Sequence, residues 1–348
     1  MDSRWSPAEL TELRSQDAFR GVNEDISLSV YCTRLIGGDR DLVLHGGGNT
    51  SVKTMQEDLF GNEVEVLCIK GSGWDMAEIL PAGLPPVRLA PLQQLKSLES
   101  LSDEDMVSYI RSNLLDAASP TPSVETLSHA FLPYKFVNHS HASAVLSVTN
   151  QANGEELCRE IFGDRMGIVP YTMPGFGLAK KTTEVFEENP NVDGLILLNH
   201  GIFTFSDDAE TSYRHMIDAI SAVEKRLAGG KKRVFMPAAI PARLRRVSAV
   251  APIVRGVCVS LDERLGKGTN APQNRLILEF RTTDRVLDFV NGNEIERYSQ
   301  AGVATPDHVI RTKNWPLVLP FPAASGTSNY REQTERLVTA FQEKYDSY

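Results

Sequence analysis

The amino-acid sequence predicts a protein of the α/β or α+β class, in which helices and strands are mixed along the chain. Two observations carry this prediction. Apolar runs at residues 64–69 and 192–205 are typical of buried strands. From residue 207, apolar side chains recur at the spacing of one helix face until Gly229. The 348 residues are enough to bury the core of one large domain or of two smaller ones.

Three further helices are predicted from the residues at which they begin. Ser6 precedes a proline, and Ser102 precedes three acidic residues, and both patterns are typical of helix starts. The helix that begins at Ser102 is expected to end near Leu115. Another helix is predicted from Val124, directly after the turn at residues 120–123.

Two strands are expected to end in tight loops of small residues. The apolar run at residues 42–44 leads into the loop at residues 45–49, and the strand at 64–69 leads into the loop at 70–73. Backbone amides and hydroxyl side chains in such loops can hold a phosphate without a lysine. Each loop taken alone is also just a turn, and neither matches a nucleotide-binding motif.

A basic, proline-containing stretch at residues 231–246 marks the predicted domain boundary. It separates a first domain, residues 1–230, from a linker and C-terminal extension, residues 231–348. The extension is predicted to be of the α+β type. Its predicted elements are strands at residues 275–280 and 286–290 and a charged helix near residues 330–345.

Composition and charge exclude several classes of partner. The formal net charge of -9 argues against general binding to nucleic acid or to an anionic membrane. No apolar stretch is long enough to span a bilayer, and the N-terminus has no signal-peptide pattern. The 4 cysteines are far apart and suggest neither a disulfide framework nor a thiolate zinc site. We therefore expect a cytoplasmic protein.

Three histidines are the candidate metal ligands. His139 and His141 lie two residues apart in a predicted strand at residues 134–148, so both side chains project from one face. His200 follows an apolar run and precedes Gly201, at a strand end where catalytic groups are often placed. Three neutral imidazoles leave a position open on zinc, as catalytic sites do. The paired histidines alone are weak evidence, because this spacing is common by chance.

Glu125 is the candidate acid/base. It follows the turn at residues 120–123 and precedes the strand that carries the paired histidines. A carboxylate beside a metal can transfer a proton to or from a substrate. The same position also suits a glutamate that caps the start of its own helix. The sequence is compatible with both roles.

In their order along the chain, these motifs resemble those of the class II aldolase and adducin family. The matching motifs are GGGNTS at residues 46–51, GSG at 71–73, PSVE at 122–125, HSH at 139–141 and NHG at 199–201. The resemblance covers roughly residues 25–230. Residues 246–320 also resemble the segment that follows the aldolase part of bifunctional rhamnulose-1-phosphate aldolase/alcohol dehydrogenases.

The resemblance implies a fold, an assembly and a set of site residues. The fold is an α/β/α sandwich with a mixed, mainly antiparallel central sheet, and the assembly is a homotetramer. His139, His141 and His200 would hold Zn²⁺ or another divalent metal, and Glu125 would be the acid/base. Val124 stands where fuculose-type aldolases have a second serine. The residues implied to line the phosphate site are Gly48, Asn49, Ser72, Gly73 and Ser123.

The implied activity is zinc-dependent cleavage of a ketose 1-phosphate, similar to rhamnulose 1-phosphate, into dihydroxyacetone phosphate and an aldehyde. Epimerases, dehydratases and decarboxylases of the family use the same metal site, and adducin-like interaction modules keep only the fold. The intact histidines and Glu125 favour an enzyme. The chain ends at Tyr348 without a glycine-rich dinucleotide loop, so nicotinamide-dependent oxidation is not expected.

The C-terminal extension carries a local basic cluster, formed by His308, Arg311 and Lys313 close to Pro306. In a chain of net charge -9, such a cluster could lie over the mouth of the active site and attract an anionic substrate. The alternative is a solvated connector without a role in binding.

Overall fold

The computed structural model describes residues 1–230, 235–264, 276–323 and 330–348. These residues divide into two units. The first unit contains Met1–Gly230 together with Val303–Thr312, and the second contains the described parts of Lys231–Gly302 and Lys313–Tyr348. A short stretch of the C-terminal part therefore folds with the first unit.

The first unit is built around a seven-stranded sheet. Its strands are β1 (Asn49–Glu57), β2 (Glu63–Ile69), β3 (Pro86–Arg88), β4 (Phe136–Ser140), β5 (Met166–Val169), β6 (Gly194–Leu197) and β7 (Gly201–Ser206). The strand order is β3-β2-β1-β4-β7-β6-β5, and only the β5–β6 pair is parallel. The prediction of a mixed, mainly antiparallel sheet is confirmed.

Helices cover both faces of this sheet. They are α1 (Pro7–Ser15), α2 (Glu24–Gly37), α3 (Leu89–Gln94), α4 (Asp103–Ser112), α5 (Thr126–Phe131), α6 (Ser143–Thr149), α7 (Gly154–Phe162), α8 (Phe176–Glu188) and α9 (Ala209–Ala228). Alternate residues of β7 enter different cores: Ile202 packs with α2 and α9, whereas Phe203 packs with α8. This alternation, with helix layers on both sides, confirms the predicted sandwich.

Several predicted helices begin at their predicted caps. The Ser6 and Ser102 hydroxyls accept hydrogen bonds from backbone amides three residues later, as N-caps do. Helix α9 ends at Ala228, before the glycine pair, as predicted. The helix predicted from Val124 begins two residues later, at Thr126.

Two predicted strand segments of the first unit are wrong. Residues 42–44 are not a strand: Leu42 ends a turn, and the amides of Leu42 and Val43 both bond to the Asp39 carbonyl instead of to a partner strand. The predicted strand at residues 134–148 is a strand only over Phe136–Ser140, and helix α6 follows it. The buried side chains of this helix, Val145, Leu146, Val148 and Thr149, follow helical spacing.

The second unit contains α10 (Val247–Arg264), α11 (Asp284–Val290), α12 (Ile295–Tyr298) and, in the C-terminal stretch, α14 (Tyr330–Asp346). Helix α13 (Pro306–Arg311) belongs to the first unit. Helix α10 packs against α14, and the latter confirms the predicted charged C-terminal helix. Phe235, Phe289 and Tyr298 form an aromatic cluster, with ring centroids 4.7 to 5.3 Å apart.

The strands predicted in the extension are also wrong. Residues 286–290 lie in helix α11, because the Thr283 hydroxyl accepts a hydrogen bond from the Val286 amide and caps a helix there. Residues 276–280 have no regular structure, and Arg275 lies outside the described residues. The first four residues of the predicted linker, 231–234, also lie outside them. Within the described ranges, no helix combines the length and the apolar character needed to cross a membrane.

Candidate active site

Three buried histidines meet where strand β4 ends beside the turn between β6 and β7. His139 lies in β4, His141 is the first residue after β4, and His200 lies in the turn. Antiparallel pairing of β4 with β7 brings that turn next to the end of β4. One ring nitrogen from each histidine lies within 4.8 Å of the others. The structure thus brings the three predicted ligands together.

The turn that carries His200 depends on two unusual backbone positions. Asn199 has a φ of 60°, a left-handed conformation that asparagine tolerates better than most residues. A Cβ on Gly201 would lie 2.3 Å from the Ser140 carbonyl oxygen, so a side chain does not fit there. This backbone places the His200 ring 5.0 Å from the His139 ring, centroid to centroid.

Hydrogen bonds fix which nitrogen of each paired histidine carries a proton. His139 Nδ1 lies 3.1 Å from the Ile202 carbonyl oxygen, which can only accept, so Nδ1–H donates. His141 Nδ1 lies 2.6 Å from Asp307 Oδ1 and donates in the same way. Burial lowers the pKa of His139 well below its ordinary value, so this ring is neutral. His139 therefore presents an unprotonated Nε2, and the bond to Asp307 favours the same tautomer for a neutral His141.

The geometry of this cluster fits a divalent metal. The two Nε2 atoms of His139 and His141 lie 3.0 Å apart, close enough for both to bind one cation. Two nitrogens bound to one tetrahedral zinc at about 2.0 Å are separated by roughly 3.3 Å. His200 Nδ1 and Glu125 Oε1 are buried and have no hydrogen-bond partner among the described residues. These donor atoms suit an imidazole-binding metal such as zinc.

Glu125 lies against the same cluster. Its Oε2 is 3.3 Å from His139 Nε2, and its Oε1 is 3.4 Å from His200 Nε2. Burial raises the pKa of the Glu125 carboxyl, but the adjacent histidines and a hydrogen bond from Asn49 outweigh burial and lower it overall. The carboxylate is therefore ionised at neutral pH and can accept a proton.

A buried chain of hydrogen bonds holds this carboxylate. Ser51 Oγ lies 2.8 Å from His129 Nδ1, and His129 Nε2 bonds to Asn49 Oδ1. Asn49 Nδ2 then donates to Glu125 Oε2 at 2.6 Å and to Ser123 Oγ at 3.1 Å. Asn49 pairs with His139 across the β1–β4 ladder, so the strands themselves set this alignment. The Asn49 side chain thus orients Glu125 and Ser123.

The capping role considered for Glu125 is wrong. Glu125 occupies the N-cap position of helix α5, but its side chain makes no capping hydrogen bond. Both carboxylate oxygens face Asn49 and the histidines instead. A buried carboxylate without a capping function is a candidate for chemistry.

The two small-residue loops, residues 45–49 and 70–73, lie next to each other and are called here the first and second glycine loops. A Cβ on Gly46 would lie 3.6 Å from the Gly73 carbonyl oxygen, which measures how closely the loops approach. Gly48 has a φ of 58°, and a Cβ there would lie 2.8 Å from the His139 carbonyl oxygen. Ser72 and Gly73 are exposed, whereas Ser123 is buried beside Asn49. The predicted phosphate-site residues therefore divide between an exposed loop and the surroundings of Glu125.

Lys70 adds a positive charge that the sequence analysis did not anticipate. Its side chain is 2% exposed, and Nζ donates to the Gly46 carbonyl oxygen at 3.0 Å. Burial lowers the pKa of Lys70 to about 8, and the carboxylates of Asp75, Glu125 and Asp307 partly oppose that shift. No salt bridge to Lys70 is present in the described part of the chain. This lysine can stabilise an anion at the glycine loops.

The residues of the predicted basic cluster have separate partners. Arg311 Nε donates to the His45 carbonyl oxygen at 3.1 Å, at the edge of the first glycine loop. His308 Nδ1 lies 2.8 Å from the Thr305 hydroxyl within the same segment. Lys313 lies in the second unit, with Nζ 3.3 Å from the centroid of the Tyr345 ring. Only Arg311 reaches the candidate site.

Three residues at the site carried no signal in the sequence. His129 and Lys70 lie on elements whose burial depends on packing, and Asp307 lies 166 residues from its partner His141. An aspartate one residue after a helix-starting proline is usually only part of an acidic first turn.

Two family models match the chain. "Class II Aldolase and Adducin N-terminal domain" matches residues 28–226, and "Aldolase class II, second domain" matches residues 245–348. The N-terminal class II aldolase domain of a conserved protein from Thermoplasma acidophilum is a similar solved structure. It has 38% sequence identity and a TM-score of 0.58, and the match covers 65% of this chain and 99% of that one.

Two curated relatives are similar over different lengths. An uncharacterized oxidoreductase, YuxG, from Bacillus subtilis is 33% identical over 339 residues, which is 94% of this chain and 47% of that protein. The chain therefore spans about half the length of this relative. A methylthioribulose-1-phosphate dehydratase from Alcanivorax borkumensis is 30% identical over 138 residues, covering 32% of this chain and 65% of that protein.

Proposed function

This chain belongs to the class II aldolase and adducin family, and on that premise we propose that it is a metal-dependent lyase that cleaves a ketose 1-phosphate. The proposed products are dihydroxyacetone phosphate and an aldehyde, which is lactaldehyde if the substrate is rhamnulose 1-phosphate. One observation carries the proposal. An ionised, buried Glu125 lies within 3.4 Å of two of three converging histidines.

The proposed metal ligands are His139, His141 and His200. A bound divalent metal, which we propose is Zn²⁺, would supply Lewis-acid polarisation of the substrate carbonyl. His139 and His141 donate from Nδ1 to the Ile202 carbonyl oxygen and to the Asp307 carboxylate, and these hydrogen bonds favour the tautomer in which Nε2 is unprotonated and available to the metal.

Glu125 is the proposed proton-transfer group. In the condensation direction it accepts the proton that leaves the nucleophilic carbon of dihydroxyacetone phosphate. In the cleavage direction, the C4 hydroxyl releases its proton to the ionised Glu125 carboxylate and becomes the aldehyde carbonyl. The C3–C4 bond breaks with its electron pair left on C3, and Glu125 passes the proton to that carbon. Asn49 Nδ2 donates a hydrogen bond to Glu125 Oε2 at 2.6 Å and holds that carboxylate in place, so Asn49 is a positioning residue in this proposal.

The glycine loops are the proposed phosphate site. Gly48, Ser72, Gly73 and Ser123 belong to it, with Asn49 reassigned to Glu125. The buried ammonium of Lys70 beside Gly46 adds a charge that favours an anionic group at this place. A fixed phosphate converts binding free energy into orientation of the reacting carbons.

Dehydration of a sugar phosphate is the second candidate function. The observation that favours it is the similarity to the Alcanivorax borkumensis dehydratase. A dehydratase also needs a carboxylate that removes a proton beside a polarised carbonyl. Its product keeps all carbons and lacks one water, so product analysis separates the two reactions. Epimerases, decarboxylases and a non-catalytic, adducin-like module are the remaining alternatives.

Product identification on the full chain tests the proposal. The protein, loaded with Zn²⁺ or Mn²⁺, is incubated with rhamnulose 1-phosphate, fuculose 1-phosphate and methylthioribulose 1-phosphate. NMR and mass spectrometry then detect dihydroxyacetone phosphate with an aldehyde, or a dehydrated product. Glu125→Gln under the same conditions is the control. A wild type that binds metal but converts none of these substrates contradicts the proposed lyase activity.

Assembly and location complete the proposal. We propose residues 1–230 as the catalytic domain and residues 231–348 as a linker and extension, in a cytoplasmic homotetramer. The support for the tetramer is membership of the family, whose active sites are expected at subunit interfaces. Light scattering coupled to size-exclusion chromatography measures the subunit number directly.

A further inference from the structure

A carboxylate from the C-terminal part of the chain reaches the histidine cluster. Asp307, in helix α13, is 1% exposed, and its Oδ1 lies 2.6 Å from His141 Nδ1. Its Oδ2 accepts a hydrogen bond from the Leu44 backbone amide at 2.8 Å. Both oxygens are therefore used, and both partners belong to the N-terminal part of the chain.

The first glycine loop leaves space for this carboxylate. A Cβ on Gly47 would lie 1.5 Å from Asp307 Oδ1, a distance that no side chain tolerates. The same Cβ would lie 3.2 Å from His141 Nδ1. The absence of a side chain at Gly47 is thus required for the contact between Asp307 and His141.

Two more contacts hold the segment Val303–Thr312 against the first unit. Asn150 Nδ2 donates to the Ala304 carbonyl oxygen at 2.9 Å, and Arg311 Nε donates to the His45 carbonyl oxygen at 3.1 Å. Together with the Leu44 amide, they fix the segment before, at and after Asp307. A connector without a role in the site would not need a buried carboxylate between these points.

The contact has a direct consequence for metal binding. A carboxylate that accepts from Nδ1–H fixes the tautomer of His141, directs its Nε2 at the other histidines and increases the basicity of that nitrogen. Without it, the His141 ring can rotate or carry its proton on Nε2, which removes one donor atom. The carboxylate acts on the metal position through its hydrogen bond with His141.

We propose that Asp307 is a positioning residue of the metal site, supplied by the C-terminal part of the chain, and that metal binding and docking of Val303–Thr312 strengthen each other. The proposal rests on the metal-binding half of the proposed function and is independent of the reaction catalysed. The ligand it concerns is a divalent cation that binds imidazole nitrogen.

The affinity for Zn²⁺ alone tests this proposal, measured on the full chain by competition with a chromogenic chelator. Removing such a carboxylate typically weakens metal binding by about 10- to 100-fold, and Asp307→Ala is expected to fall in that range. Asp307→Asn keeps an acceptor for His141 but loses the charge, so a smaller loss is expected. Asp193→Asn is the matched control, because Asp193 Oδ1 lies 3.6 Å from His215, which is not in the cluster.

Hydrogen exchange at the Leu44 amide supplies the second measurement. In the wild type, Zn²⁺ is expected to slow this exchange, because it stabilises the segment that holds the amide. In Asp307→Asn, Zn²⁺ is expected to have little effect on it. Neither measurement involves turnover, so absence of lyase activity does not affect the result.

Three outcomes overturn the proposal. The first is a folded Asp307→Ala with Zn²⁺ affinity within twofold of the wild type, which assigns Asp307 to holding the loop only. The second applies if Asp307→Ala does not fold: a wild-type affinity for Zn²⁺ in Asp307→Asn then has the same meaning. The third is Leu44 exchange in the wild type that is insensitive to Zn²⁺. A wild type that binds no Zn²⁺ contradicts this proposal and the proposed function together.

Discussion

The carboxamide of Asn49 donates a hydrogen bond to the carboxylate of Glu125 at 2.6 Å, and among the described residues it is the only side-chain hydrogen-bond donor to that carboxylate. Asn49→Ala is therefore expected to lower kcat by about 10- to 100-fold, because the carboxylate loses its orientation. A phosphate-binding role for Asn49 predicts a raised KM instead. Steady-state kinetics separates the two roles, with the surface variant Asn62→Ala as control.

Glu125→Gln is expected to keep the metal and the fold but to lose most of the turnover. The substitution preserves shape and removes the group that transfers a proton. General acid/base groups contribute about 100- to 10,000-fold, so kcat is expected to fall within that range. Metal content and circular dichroism serve as controls for the site and the fold. Activity within a fewfold of the wild type contradicts the proton-transfer role.

His139→Ala is expected to abolish stoichiometric binding of a divalent metal. The wild type is expected to bind about one zinc per chain, because three imidazoles converge on one point. Elemental analysis after dialysis measures the ratio of metal to protein. His215→Ala, on helix α9 and outside the cluster, is expected to keep the wild-type ratio. Equal metal content in the His139 and His215 variants contradicts the assignment.

The buried Lys53 predicts how stability depends on pH. Burial lowers the pKa of Lys53 from 10.5 to about 7, while Nζ donates to the carbonyl oxygens of His129 and Tyr134. Between these pH values the unfolded chain binds a proton that the folded chain does not. The free energy of unfolding contributed by this group therefore rises with pH from about 7 towards 10.5, and is reduced below pH 7.

Lys53→Met tests this prediction through the slope of the pH dependence. Relative to the variant, the wild type is expected to gain on the order of 4 kcal/mol of unfolding free energy between pH 7 and pH 10. Urea unfolding at several pH values measures the difference. Lys96→Met, which removes a surface lysine paired with Glu187, is the control. Parallel curves for the wild type and Lys53→Met contradict the lowered pKa.

Arg311→Ala is expected to raise KM for a phosphorylated substrate with a smaller effect on kcat. Arg311 lies at the His45 carbonyl of the first glycine loop, where its charge attracts an anion. Added salt is expected to raise KM of the wild type in the same way, because it screens that charge. Lys313→Ala is the matched control, since Lys313 contacts Tyr345 in the second unit. An unchanged KM for Arg311→Ala at low ionic strength contradicts a role of Arg311 in substrate binding.

Local sequence determined the helix starts and the order of the site motifs. Ser6 and Ser102 cap their helices through hydrogen bonds that span three residues, so neighbouring residues alone define them. The spacing of His139 and His141 predicted that the two rings lie on one side of the strand, and their Nε2 atoms are 3.0 Å apart, although His141 lies one residue beyond β4. The amphipathic spacing of α9 defined its length in the same local way.

Tertiary structure decided the rest, for two physical reasons. Short apolar runs, such as residues 42–44, 143–148 and 286–290, have no periodicity that separates strand from turn or helix, so their partners in the fold set the outcome. Contacts such as Asp307 with His141 join residues 166 positions apart. Such a contact depends on where the intervening chain packs, so neither the buried charge of Lys70 nor the partner of Asp307 can be inferred from nearby residues.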